Sequence, residues 1–331
     1  MAASSAGELS VARVDELRLI ARIAHMYFVE ELKQTEIARR LSISQTSISR
    51  YLKRAQAEGI VRISVSVPRG TYPQLEAELR SRYGIDEAIV AECAEDREEQ
   101  ILTRVGEAAA HYLTTTLERD AVLGISSWSE TLLRMVDSIV PSEAPRAREV
   151  VQILGGMGNP GVQAHATSLT VRLASLTHAR PMLLTTQGVA SSAAAKRALL
   201  EDTYVRETLA EYPSLTTALV GIGALEPSKL LADSGNVFTS IELATLDRLG
   251  AVGDVCLRFF DERGVSIASP FDGRVIGADL TTLRQVPRVI GVAGGDRKVA
   301  AIRGALAGSL IDVLITDRFT AAKILAAPVG L

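Results

Sequence analysis

The chain has 331 residues, 36 Lys and Arg against 39 Asp and Glu, a formal charge of −3 and 47% hydrophobic residues. A slightly acidic total excludes a protein coated in nucleic acid over its whole surface, and the hydrophobic share excludes wholesale disorder. Cys93 and Cys256 stand far apart with no metal-ligand spacing, no apolar run reaches the ~18 residues of a membrane span, and Met1 to Leu9 lack a signal-peptide layout.

No disulfide framework, metal site or membrane association is therefore expected, and the predicted setting is cytoplasmic. The first seven residues, rich in Ala and Ser, are expected to fray. Charge is uneven along the chain. Residues 1–60 carry a net +2, the segment from Lys33 to Arg54 carries +5 with Glu36 as its single acid, and residues 61–331 carry −5. A small head with a basic segment is thus joined to a large acidic body.

In chain order, Leu17, Ala21, Ala24 and Phe28 recur at helical spacing and predict a first helix from Val14 with one buried stripe. Residues Gln34 to Leu41 predict a short second helix, and Ser42-Ile43 a turn, with Ser where many such turns carry Gly. Ser44 is placed to cap a third helix that runs to about Glu58 and stops at Gly59. Ile48, Leu52 and Ala55 fall at i, i+4 and i+7 and form its inner face; Thr46, Arg50 and Lys53 project opposite, with Gln45 and Ser49 on the flanks. An apolar anchoring stripe backing short hydrogen-bonding side chains and Arg is what a DNA recognition helix needs. Gln45 and Arg50 suit base edges, whereas Thr46, Ser47 and Lys53 suit phosphates.

Val61–Arg69 alternates up to Pro68 and reads as a connector strand. From Tyr72 onward, short β-branched runs alternate with helical patterns, the mark of a parallel sheet covered by helices. Expected strands are Ala88–Ala91, Ala121–Ile125, Val150–Leu154, Ala218–Ile222, Val289–Ala293 and Asp312–Thr316. Several run into Gly or Ser, at Ser126, Gly155-Gly156, Gly221-Ile222-Gly223 and Gly294-Gly295. Such loops at strand carboxyl ends let backbone N–H groups approach an anion. Ser126-Ser127-Trp128-Ser129, followed by a helix from Glu130-Thr131, offers hydroxyls, N–H groups and the positive end of a helix dipole, a cradle for phosphate.

These blocks together resemble the SorC family of bacterial transcriptional regulators. The resemblance rests on Gln34-Thr35-Glu36-Ile37-Ala38, Ser47 to Ala55, Glu58-Gly59-Ile60-Val61, Gly124 to Leu132, Gly155-Gly156-Met157-Gly158, Val220 to Gly223, Gly250 to Asp254 with Arg258 to Asp261, Val289 to Gly295 with Lys298, and Asp312 to Asp317. It implies an α/β chain with a helix-turn-helix DNA-binding domain over 1–60, a connector over 61–71, and over 72–331 a Rossmann-like effector and oligomerisation domain of the sugar-phosphate isomerase and deaminase type. It further implies a phosphorylated sugar or polyol as effector, a double-stranded DNA operator, self-association as a dimer or tetramer, and no cofactor. The expected DNA-contacting residues are Gln34, Thr35, Ser44, Gln45, Thr46, Ser47, Ser49, Arg50 and Lys53. The expected effector residues are Ser126, Ser127, Trp128, Ser129, Glu130, Thr131, Gly155, Gly156, Asp254, Gly294, Gly295 and Lys298.

Lys298 suits the phosphate as a point charge and Asp254 suits sugar hydroxyls, with loop capping as its alternative. Gly294 and Gly295 suit close backbone approach. Gln152 and His165 are placed at the pocket border. Trp128 either stacks on a sugar face or fills the core beneath its loop. Leu154 stands where some relatives carry a cation, which speaks against a bisphosphate or covalent adduct. No clustered acid–base pair points to catalysis, so the rival reading, a sugar-phosphate enzyme with an accessory helix-turn-helix, is the weaker one.

Overall fold

A computed structural model describes residues 11–62, 68–141 and 147–326. The chain divides into two compact units, Met1–Ser66 and Val67–Leu331. Residues 63–67 of the expected connector strand and the first seven residues lie outside the described ones.

In the first unit, α1 (Val11–Phe28), α2 (Gln34–Leu41) and α3 (Gln45–Ala57) enclose a core of Ile20, Ile23, Ala24, Met26, Ile37, Ile48, Leu52 and Ala55. The inner face of α3 is the expected one. The stripe of α1 is not: Ala21 and Phe28 are exposed, while Ile20, Ile23 and Ala24, with Tyr27 half-buried, face inward at i, i+3, i+4 and i+7. Both stripes have helical spacing and share Ala24; α2 and α3 select the one with β-branched bulk.

Ser44 caps α3, its Oγ accepting from the Ser47 N–H at 3.2 Å. Ser42 takes the left-handed conformation that glycine would take there, with φ 55° and ψ 39°, and its N–H closes α2 on Ala38 and Arg39. The serine thus pays a conformational cost within the ordinary turn geometry. Replacing it with glycine is expected to stabilise this unit by up to about 1 kcal/mol, because the left-handed well costs an L-residue ~1–2 kcal/mol and glycine gives back part of that in chain entropy. A denaturation midpoint at or below that of the parent chain would contradict this.

The second unit contains β1 (Glu87–Ala91), β2 (Ala121–Ile125), β3 (Ala147–Gln152), β4 (Arg180–Met182), β5 (Thr217–Gly221), β6 (Gly223–Ala224), β7 (Gly253–Val255), β8 (Arg258–Phe260), β9 (Arg288–Val292) and β10 (Val313–Asp317). Among the described residues, seven strands form a parallel sheet in the order β1-β10-β9-β5-β2-β3-β4. All six expected strands are present, Ala121–Ile125 with the expected bounds and the other five with ends that differ by no more than three residues. Alternate residues feed two cores: Val122, Ala218, Val220 and Leu314 enter one, and Leu123, Leu219, Ile290 and Ile315 the other. Burial on both faces explains why these strands read as continuous apolar runs.

A small antiparallel sheet, β6-β7-β8, stands beside the main one. Its strands of two or three residues are too short to show periodicity in a sequence. Cys256 and Leu257 join β7 to β8 with φ of 52° and 59°, the signs of a type I′ hairpin turn built without glycine. Asp254 Oδ2 accepts the Leu257 N–H at 2.9 Å and pins that turn.

In the large sheet, β2 lies between β5 and β3. The chain leaves β2 outward through β3 and β4, then returns to its other side at β5. The crevice between β2 and β5 at their carboxyl ends is therefore a topological switch point, where ligands of open α/β sheets bind.

Candidate functional site

On the first unit, α3 presents Thr46, Arg50 and Lys53 to solvent along one face, with Gln45 exposed beside them and Ser47 and Ser49 half-buried. Thr35 is exposed at the first turn of α2, next to the half-buried Gln34. Arg50 lies 5.7 Å over the Tyr51 ring, a support for its guanidinium that the sequence did not indicate. Ser44 and Ser47 are joined, the Ser44 hydroxyl donating to Ser47 Oγ at 2.9 Å, so capping occupies both.

The basic segment is smaller in space than in sequence. Arg54 binds Glu16 at 2.5 Å and Glu58 at 2.9 Å, Arg13 binds the same two acids, and Arg40 pairs with Glu36 at 2.7 Å. Those hydrogen bonds hold Glu16 down at about 2 and Glu58 below the usual carboxylate range. Lys33, Arg39, Arg50 and Lys53 remain exposed, and no ion pair of theirs is found among the described residues.

On the second unit, a cavity of about 690 Å³, part of it open to solvent, lies at the switch point. Ser126 to Glu130 follow β2, Gly221 to Ala224 follow β5, Arg297 and Lys298 follow β9, and Asp254 enters from β7. Strands far apart in sequence thus gather most of the expected effector residues at one place.

The two loops are fastened to each other. Ser126 Oγ accepts the Gly221 N–H at 3.2 Å, and a Cβ on Gly221 would stand 2.7 Å from Ser129 Oγ. Ser127 donates to the Leu154 carbonyl and accepts from Gln152 Nε2. Ser129 caps the helix Glu130–Ser138 by accepting from Leu132 N–H. The serine hydroxyls, read as ligand groups, therefore build the cradle. For an anion they leave the O–H groups of Ser126 and Ser129, which only accept, and the N–H groups of Glu130 and Thr131, none of which has an acceptor among the described residues. Trp128 is 5% exposed, sits at φ 57° and donates its indole N–H to the Gly155 carbonyl at 3.0 Å, so it wedges the loop from beneath.

Lys298 is half-buried on the rim, and no hydrogen bond or ion pair of its ammonium is found among the described residues. Burial, then the neighbouring Arg297, pull its pKa down; Asp254, Glu98 and Glu130 oppose them. Burial pushes Asp254 up to about 6 against the Leu257 N–H and Lys298. The carboxyl is both the turn cap and a pocket wall. A Cβ on Gly223 would overlap its Oδ1. Burial also lifts the Cys256 thiol to about 12, which leaves it a small apolar wall.

Other expected residues stand elsewhere. Thr131 is buried behind the helix start, and Gly155 and Gly156 pack against Gln187 and Gln152, where side chains would overlap backbone or amide. Gly294 abuts Asp317, and Gly295, at φ 98°, donates to Thr320 Oγ1; both line a neighbouring hollow that shares Glu98, Arg297 and Lys298 with the pocket. A Cβ on Gly294 would meet the protein itself, whereas one on Gly295 would meet open space. Gln152 is 2% exposed and knits Ser127 to the Leu184 N–H, while His165 is exposed in a separate groove with Arg134 and Arg172. Leu154 does line the pocket and keeps that wall apolar. Glu98, Glu226, Ser228 and Arg297 line it unforeseen; only the Gly221-Ile222-Gly223 turn carried a signal, as a strand end.

Among the described residues no group of His, Cys, Asp and Glu could hold a metal ion, and no helix is long and apolar enough to cross a membrane. Residues 70–326 match the family model of a sugar-binding domain, and residues 30–62 that of a winged helix-turn-helix DNA-binding domain. The chain is 30% identical to the sorbitol operon regulator of Klebsiella pneumoniae over 315 residues, 94% of this chain and 98% of that one. It is 31% identical to the deoxyribonucleoside regulator of Bacillus subtilis (strain 168), covering 93% and 97%. The crystal structure of full-length SorC from Klebsiella pneumoniae matches with a TM-score of 0.71 at 30% identity over 93% of this chain and 98% of that one. The sugar-binding domain of a DeoR regulator from Pseudomonas syringae pv. tomato matches at 40% identity with a TM-score of 0.62, over 77% of this chain and 100% of that one.

Proposed function

The chain belongs to the SorC family of sugar-responsive, DNA-binding transcriptional regulators and is not an enzyme, and on that premise we propose that its switch-point pocket binds a phosphorylated sugar or polyol that controls operator affinity. The observation that carries this reading is the convergence on one cavity of a helix N-terminus and Lys298, whose N–H groups and ammonium have no partner among the described residues. Backbone N–H groups, the helix dipole and a point charge suit a phosphate, and Asp254 suits the hydroxyls beyond it. The buried hydroxyl–backbone network of Ser126, Ser127 and Ser129 pre-organises the cradle before the ligand arrives.

On the first unit, Arg50 and Gln45 read base edges, while Thr46, Ser47, Ser49 and Lys53 hold phosphates from α3, with Gln34 and Thr35 doing so from α2. Ser44 contributes as the cap that orients the start of α3. Domain limits of 1–60, 61–71 and 72–331 and a cytoplasmic setting go with this reading. A homo-oligomer, dimer or tetramer, pairs recognition helices on a repeated operator, and effector binding unequally to two arrangements of the oligomer shifts the population between them. Relatives spanning nearly the whole chain are named as regulators of a sorbitol operon and of deoxyribonucleosides, which supports a role in carbohydrate catabolism.

Two experiments test the two halves. A thermal-shift screen of phosphorylated sugars and polyols is expected to raise the melting temperature for one of them and not for its dephosphorylated form, since a ligand stabilises the state it binds; a flat phosphorylated set beside an active free sugar would overturn the phosphate assignment. In footprinting, Thr46→Ala and Arg50→Ala are each expected to weaken operator binding by about 1–3 kcal/mol. Unchanged affinity in both would remove α3 from the interface.

A further inference from the structure

Beside the main pocket lies a second, narrow hollow, part of its roughly 250 Å³ open to solvent, walled by Leu225, Val237, Phe238, Leu243, Leu257 and Phe259. It shares Ala224, Pro227, Leu231, Asp254 and Leu257 with the pocket. Asp254 is the single charged residue of its lining, and that carboxyl stands at the junction of the two spaces. The space left free inside this hollow is that of about one small group, and its apolar lining gives a water molecule few hydrogen-bond partners. Leu225, Val237 and Leu243 are half-buried rather than buried, so the hollow stays reachable. Phe238 is held edge-on to Phe259 at 5.6 Å and beneath the Arg274 guanidinium at 5.4 Å, which fixes the wall.

Resting on the phosphate reading above, we propose that the two spaces are one binding site, and that the effector is amphiphilic along its length: phosphate at the Glu130 helix start and Lys298, hydroxyls at Asp254, and a terminal carbon without a hydroxyl in the apolar annex. A fully hydroxylated sugar would place its last hydroxyl among leucine and phenylalanine side chains with no partner, which weakens binding roughly tenfold, whereas each buried methylene strengthens it about fourfold. The effector class is therefore a deoxygenated or methyl-ended sugar or polyol phosphate.

Flexible probes avoid the question of sugar stereochemistry. The full-length protein is titrated calorimetrically and by thermal shift with inorganic phosphate, with n-alkyl phosphates from ethyl to hexyl, and with 4-hydroxybutyl phosphate against butyl phosphate. The expected result is binding of inorganic phosphate, an affinity that climbs about fourfold per methylene until the annex is full, and a roughly tenfold loss on adding the terminal hydroxyl. Leu243→Gln, which keeps the volume and adds an amide, is expected to flatten the chain-length series while leaving inorganic phosphate binding unchanged. A flat series in the parent protein, or equal binding of the two butyl esters, with inorganic phosphate still bound, overturns the annex and leaves the phosphate site standing. Failure of inorganic phosphate and every ester to bind overturns the phosphate reading, and the annex with it. If Leu243→Gln does not fold, the parent series and the butyl pair decide alone.

Discussion

Lys298→Ala is expected to lower effector affinity about 10–100-fold, the worth of one charge-assisted hydrogen bond to a phosphate, and to leave operator binding by the effector-free protein unchanged. The side chain has no hydrogen bond or ion pair among the described residues, and burial and Arg297 both disfavour its charge. Removing it therefore takes away no contact that holds the fold. An ammonium kept half-buried beside another cation, with its nearest carboxylates acting only at a distance, gains its partner when an anion arrives. Calorimetry with the effector from the screen checks the first half, and footprinting without effector the second. Normal effector binding by the variant would make Lys298 a bystander and shift the phosphate to the backbone N–H groups alone.

Asp254→Asn is expected to do two opposite things. In the folded protein the carboxyl titrates at about 6 instead of its usual 3.8, because burial outweighs the Leu257 N–H and Lys298. The native state thus holds a proton that the unfolded chain has already lost, so the parent protein loses stability as pH rises from about 4 to about 6. The amide never carries that charge and still accepts from Leu257. The variant should therefore match the parent protein below pH ~4 and exceed it by about 2–3 kcal/mol at pH 7 and above. It should also bind the effector more weakly, having lost the charged acceptor at the pocket junction. A stability difference that is absent at pH 7, or present at pH 4, would show that the carboxyl is not held in a desolvated place. Retention of such a charge at a measurable stability cost is the pattern expected of a binding residue.

The strands that carry the pocket were legible because burial on both faces writes each of them as a continuous apolar run. The start and end of α3 were legible because Ser44 is a capping residue and Gly59, at φ 71°, sits in a conformation glycine favours. What failed was local in each case. The stripe of α1 admitted two solutions with the same period, and only packing against α2 and α3 chose Ile20 and Ile23 over Ala21 and Phe28. Arg54 counted as basic until Glu16, 38 positions away, neutralised it. Gly155, Gly156 and Gly294 looked like ligand-facing glycines, yet the atoms closest to them are the protein's own backbone and side chains, a distinction no local pattern records.

By itself the sequence determined the class of each unit, the capped recognition helix with its exposed Thr46, Arg50 and Lys53, and the serine-rich turn that ends β2, because all of these depend on neighbours within a few residues. Tertiary structure decided which of the candidate groups meet. The pocket exists only because the chain reverses its order at β2 and β5, which brings Ser129, Gly221, Asp254 and Lys298 around one space although 169 positions separate the first from the last. It also gave three serine hydroxyls a scaffold role within the pocket lining, beside the backbone N–H groups and the one cation that face the same space. The physical reason is that a hydroxyl in a crowded, desolvated turn bonds to whatever carbonyl or N–H the fold places beside it, and that neighbour is fixed by strand order rather than by sequence.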